Sequence, residues 1–228
     1  MQPDTPRKLK ALQSLYRIHE NTMAPFDLAC HKGCSVCCTP NVTLTSLEAF
    51  YLLSSLGPVG RDRVLSRILD KSHQNHFIPK ITINAMVDLC MKGEDLPDED
   101  SDPAWGACPL LDKGICTIYA FRPFGCRCMV SKKKCGDSGC ADMDEFLVTV
   151  HNVFMQYLEH LDQHGVSANL NDLLPFMASG NRMEDFRLLG QLKTVDPLFL
   201  KNMPLSMVMV PPEHRKDITP ILSEIQTI

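Results

Sequence analysis

The stretch Cys30-His-Lys-Gly-Cys34-Ser-Val-Cys37-Cys38 concentrates four thiols in one short segment. Far downstream, Cys108, Cys116, Cys126 and Cys128 form a second cluster, with Cys135 and Cys140 close behind. Thiolates hold zinc tetrahedrally at about 2.3 Å, and they also hold iron–sulfur clusters. A two-residue gap such as Cys34-x-x-Cys37 lets one tight turn aim both sulfurs at a single centre, and Gly33 suits that turn. Neighbouring side chains usually diverge, so Cys37 and Cys38 need not serve the same ion: either they belong to two centres, or one is spare. The second cluster could complete a centre with the first or build its own. Zinc and iron both accept four thiolates. Thiols in excess of one structural zinc, and the spacing Cys30-x3-Cys34-x2-Cys37, tilt the expectation toward an iron–sulfur cluster of the four-iron type, with zinc as the alternative.

Other residue types add less. His31 is the only histidine inside a cysteine cluster and is a minor candidate ligand. His160 and His164 have the spacing of helical zinc pairs, but no Glu follows His160, so the metalloprotease pattern is not met and both are expected at a solvated surface. Cys90 lies in an apolar helical stretch and is expected as a buried core thiol. Arg122 and Arg127 flank the second cluster, where a cation could offset thiolate charge; an ordinary salt bridge is the alternative for each. Met203, Met207 and Met209 could bind copper(I) but are better read as packing residues. The run Lys132-Lys133-Lys134 reads as a solvated loop.

The elements that must position the thiols are mainly helical. Apolar positions from Leu9 to Ile18 predict an amphipathic helix over about Thr5–Met23, ended before Pro25. Thr45-Ser-Leu-Glu48 has the capping-box pattern and predicts a helix to about Leu56, closed by Gly57. Val64–Leu69 and Ile83–Cys90 predict two more. The acidic stretch Gly93–Pro103 reads as a solvated linker and lacks the oxygen-ligand spacing that calcium requires. Asp112-Lys-Gly114, between short apolar runs, is the turn of a small hairpin flanked by Cys108 and Cys116. Residues 122–140 are expected to be irregular. Apolar residues from Met143 to Leu161 repeat at helical steps and predict the backbone of the core. Asn181-Arg-Met-Glu184 resembles a second capping box, and Pro204, Pro211, Pro212 and Pro220 punctuate a tail expected to wrap the surface.

With 228 residues and 44% hydrophobic content, the chain can bury a core without help from metal. The expected architecture is therefore mainly α: residues 1–228 as one compact helical domain with a small β-hairpin and irregular cysteine-rich loops around a metal site. Residues 30–140 would carry the cysteine clusters, and 141–228 a helical C-terminal part and the Pro-punctuated tail. The net charge of −4, with no extended basic stripe, argues against nucleic-acid and anionic-membrane partners; a protein partner is left open. No apolar run suits a signal peptide or a bilayer span, so a cytoplasmic location is expected, where dense thiols mean metal more often than disulfides. The odd count of eleven cysteines also leaves a disulfide framework incomplete.

The ordered set Cys30-x3-Cys34-x2-Cys37-Cys38, Cys108-Pro-Leu-Leu, Cys116-x-Ile-Tyr119, Arg122-Pro123 and Cys126-Arg127 resembles the YkgJ-like CxxCxxCC family of zinc- or iron-chelating cysteine-cluster proteins. The resemblance spans about Cys30 to Cys128 and implies a metal-binding set of Cys30, Cys34, Cys37, Cys38, Cys108, Cys116 and Cys126. The first gap departs from the family pattern by one residue, and Cys128, Cys135 and Cys140 are additions to it.

Three functions compete on this basis. The first is a metal-binding module. The second is an iron–sulfur enzyme using S-adenosylmethionine, since the spacing of the first three thiols is of the radical type and some flagellin lysine methylases look like relatives of the family; position 36, often aromatic in that motif, is Val here. The third is a thiol redox sensor working through Cys34 and Cys37, which would need exposed thiolates of low pKa. No phosphate-binding loop, nucleophile elbow or catalytic dyad points to a hydrolase or nucleotide enzyme.

Overall fold

The computed structural model describes residues 5–228. Helix α1 (Thr5–Met23) turns Leu12, Leu15, Tyr16 and Ile18 inward, as its periodicity predicts. A short strand β1 (Thr43–Thr45) runs straight into α2 (Ser46–Ser55), whose capping box is complete: the Thr45 hydroxyl accepts from the Glu48 N–H, and the Glu48 carboxylate accepts from the Thr45 N–H. Helices α3 (Pro58–Asp70) and α4 (Ile83–Lys92) follow, the latter ended by Gly93 in the left-handed conformation. Strands β2 (Leu111–Asp112) and β3 (Ile115–Cys116) form the hairpin, with Lys113 and Gly114 both at positive φ, as a type I′ turn demands.

Two single-turn helices, α5 (Phe124–Arg127) and α6 (Cys135–Ser138), interrupt the stretch expected to be irregular. Helix α7 (Glu145–Leu161) is the long core helix and packs against α1 and α4. Strand β4 (Val166–Asn169) leads directly into α8 (Leu170–Ala178), followed by α9 (Arg182–Leu189), strand β5 (Leu200–Lys201) and α10 (Arg215–Ile225). The capping box expected at Asn181–Glu184 does not form: the Asn181 side chain makes no cap bond, and Glu184 pairs with Arg187 instead.

The architecture is thus mainly α, with a three-stranded antiparallel sheet, in the order β1-β4-β5, that the sequence reading did not anticipate. Its register places Thr43 opposite Asn169 and Ser167 opposite Leu200. A buried polar node locks this sheet to the helices. Asp162, at the end of α7, accepts from the Ser46 hydroxyl at 2.5 Å, the Leu47 N–H at 2.9 Å and the Asn202 amide at 3.2 Å. Gly165 has to be glycine here, because a Cβ would stand 2.2 Å from the Ser46 hydroxyl.

The tail is bound rather than loosely wrapped. Glu159 accepts the Asn84 and Met203 N–H groups, Gln156 accepts that of Met209, and the His160 ring accepts that of Leu205. His160 is therefore half-buried and structural, correcting the solvated expectation, while His164 is exposed. Met207 is exposed as well, so the methionines of the tail do not act as one packing stripe. Among the described residues no helix is long and apolar enough to cross a membrane.

Candidate functional site: a thiol-lined cavity

The first cysteine cluster lies on irregular chain shaped by two successive turns. The Cys34 N–H donates to the His31 carbonyl at 3.0 Å, and the Cys38 N–H to the Ser35 carbonyl at 3.1 Å. Gly33 makes the first turn possible with φ +98°, a conformation that side chains rarely adopt. The second cluster meets the first through the backbone: the Cys108 N–H donates to the Cys38 carbonyl at 2.9 Å. The hairpin then carries Cys116, which faces Leu111 across β2 and β3. Cys126 sits on α5, whose first N–H, that of Phe124, donates to Glu48 at 2.7 Å. Asn169 holds the exit of the first loop by donating to the Pro40 carbonyl at 2.8 Å.

These segments enclose a cavity of about 350 Å³ whose walls include Cys30, Cys34, Cys37, Cys38, Cys108, Cys116 and Cys126, together with His31 and Arg122. All eleven cysteines are free thiols. Three of the candidate ligands do not line the cavity. Cys128 is turned toward the Gly125 carbonyl, 3.5 Å away; Cys135 lies on α6; and Cys140 is exposed, with its thiol toward the Ser138 carbonyl. Cys90, expected in the core, is exposed: the inward stripe of α4 is Asn84 and Val87, and the last turn of that helix stands in solvent from Cys90 onward.

Among the described residues, no group of three or more His, Cys, Asp or Glu side chains is already arranged to hold a metal ion. The chemistry of the donors nevertheless fits a thiolate-bound centre, because seven soft sulfurs face one space. The first-cluster thiols and Cys108 are carried on loops and Cys116 on a two-residue strand, so drawing them to ligation distance would close loops without disturbing the helical core.

Electrostatics at the cavity favour the neutral thiols. Burial pushes Cys108 up to about 11 and also raises Cys30, Cys116 and Cys126. Cys37 is the exception: it is lowered to about 6, chiefly because the Cys38 thiol hydrogen-bonds to it, while Cys38 as donor is pushed far up. A metal ion would reverse the balance at the raised thiols by supplying the positive charge that their thiolates lack.

The two arginines part company. Arg127 takes the salt-bridge role, bonding Glu20 at 2.5 Å and lying 4.1 Å over the Tyr16 ring. Arg122 stacks at 4.2 Å on Tyr119 and lines the cavity; its charge works against the burial that raises Cys116, Cys126 and Cys128, and adds to the lowering of Cys37.

Two participants lacked any plain sequence signal. Glu48 reads as a helix cap, and nothing local says that its second oxygen receives α5. His19, on α1, reaches the cavity wall and stands beside His151 with ring centroids 5.2 Å apart; Phe124 and Phe154 flank His19, and Phe124 also meets His151. No family model, curated protein or solved structure matches the chain.

Proposed function

We propose that this chain is a metal-binding protein of the thiolate type, holding an iron–sulfur cluster or zinc in the cysteine-lined cavity. The observation that carries this reading is the convergence of seven thiols from two distant clusters on one space, with the Arg122 charge beside them. Coordination would replace each S–H proton by the metal, so loading releases protons and becomes stronger as pH rises. Ligands on irregular loops and a short hairpin suit a centre that closes around its metal. The set named by the YkgJ-like resemblance consists of the same seven thiols, and that resemblance rests on the motif residues alone. A cytoplasmic setting, which keeps thiols reduced, is part of the proposal.

A second reading, reversible thiol oxidation, is favoured by one observation: the Cys37 thiol lowered to about 6 against Cys38. Elemental analysis with an absorption spectrum, on protein purified without oxygen or added metal, separates the two. Iron with acid-labile sulfide, or colourless stoichiometric zinc, is the expected result. Metal-free protein whose thiols all react at once would favour the redox reading and overturn the first.

A further inference from the structure

The thiols are distributed unevenly around the cavity. Within the first loop, Ser35 faces the hairpin, its hydroxyl 3.7 Å from where a Cβ of Gly114 would stand, and the Cys38 carbonyl accepts from the Cys108 N–H just ahead of that hairpin. Val36, between them, meets α6, its methyl 3.8 Å from where a Cβ of Gly136 would stand. The chain leading into α6 is tied to the same loop, since the Ala29 N–H, next to Cys30, donates to the Ser131 carbonyl at 2.8 Å. Chain on one flank thus carries Cys30, Cys34, Cys37 and, from α6, Cys135. Chain on the other carries Cys38, Cys108, Cys116 and Cys126.

Resting on the metal-binding reading above, we propose that these are two separate four-thiolate centres, one of Cys30, Cys34, Cys37 and Cys135, the other of Cys38, Cys108, Cys116 and Cys126. The boundary between them is the peptide bond joining Cys37 to Cys38. Each four-thiolate set leaves a divalent ion with a net negative charge, and placing consecutive residues in different sets spreads ligands that one tetrahedron cannot use. Cys128 and Cys140 belong to neither set.

The test counts metal and acid-labile sulfide per chain in full-length protein purified without oxygen, for the wild type and a small group of serine variants. Cys135→Ser and Cys108→Ser should each halve the metal content. The pair Cys37→Ser with Cys135→Ser should stay at half, because both residues serve one centre, and Cys135→Ser with Cys108→Ser should abolish binding. Cys128→Ser should retain the full content. A cobalt(II) titration of metal-free wild-type protein, followed by the thiolate charge-transfer band, gives a count that needs no variant to fold; the band should grow to two equivalents. Saturation at one equivalent, or full metal content in Cys135→Ser, would overturn the division while leaving the thiolate reading intact. No metal as isolated and no cobalt–thiolate band would overturn both.

Discussion

Glu48 and Phe124 are joined by a 2.7 Å hydrogen bond from the Phe124 N–H to one carboxylate oxygen, while the other oxygen closes the capping box with Thr45. The Tyr16 hydroxyl donates to the first oxygen at 2.8 Å. One buried carboxylate therefore fixes α1, α2 and the turn carrying Cys126. Glu48→Ala leaves these donors without a partner and should destabilise the chain by about 3 kcal/mol in chemical denaturation. Glu48→Gln keeps one accepting oxygen, enough for the Phe124 N–H and the Tyr16 hydroxyl but not also for the Thr45 N–H, and should lose less stability than Glu48→Ala.

Arg122 and Arg127 should separate cleanly in thiol chemistry. In metal-free protein, the pH dependence of iodoacetamide alkylation at Cys37, read by mass spectrometry, should shift upward in Arg122→Gln and further in Cys38→Ala, which removes the leading cause of the depression. Arg127→Gln should leave that profile in place and reduce stability by about 1–3 kcal/mol, through loss of the Glu20 pair and the Tyr16 stack. Equal alkylation profiles for the two arginine variants would remove Arg122 from the account of the site.

Asp162 should make stability fall with rising pH. Burial pushes its carboxyl up to about 7 from an ordinary 3.8, so the folded chain keeps a proton that the unfolded chain releases. That contribution is complete below about pH 4, is lost through about pH 7 and is flat above. Asp162→Asn has no such proton, so its urea midpoint should gain on that of the wild type between pH 4 and 7. A constant difference across that window would show that Asp162 does not titrate there.

His19 and His151 act in the opposite sense. Burial lowers them to about 3 and about 4, so the folded state holds them neutral. Their contribution is complete above about pH 6.5 and is lost as pH falls through those values. Replacing His151 by Leu should reduce the loss of stability between pH 6.5 and 4 by about 2 kcal/mol, measured by urea unfolding at each pH.

How much could be read from the chain depends on whether the signal is local. Helix α1, the Thr45–Glu48 capping box, the Lys113–Gly114 turn and α7 are written in neighbouring residues, and all form as expected. The three-stranded sheet is built from strands of two to four residues whose partners are distant, so no alternation had room to show. Pro175 and Pro220 disguised α8 and α10, which absorb them. Gln156 and Glu159 look like the wet face of α7 but are buried, because the tail brings N–H donors to them. At the cavity, clustering in sequence marked the thiols, seven of which line it. Which thiols turn inward was set by tertiary ties such as Cys38–Cys108 and Ala29–Ser131, and this is why Cys128 and Cys140 fall outside.

The polar node around Asp162 and the apolar core that joins α1, α2, α7 and α8 are closed without a ligand from any thiol lining the cavity. Under the metal-binding proposal, the order of events in the life of the chain follows from that. The polypeptide would complete its fold first and receive metal afterwards, as cargo delivered to a finished container. Its metal-free form would then be a folded protein, unlike small zinc modules that remain unfolded until metal arrives.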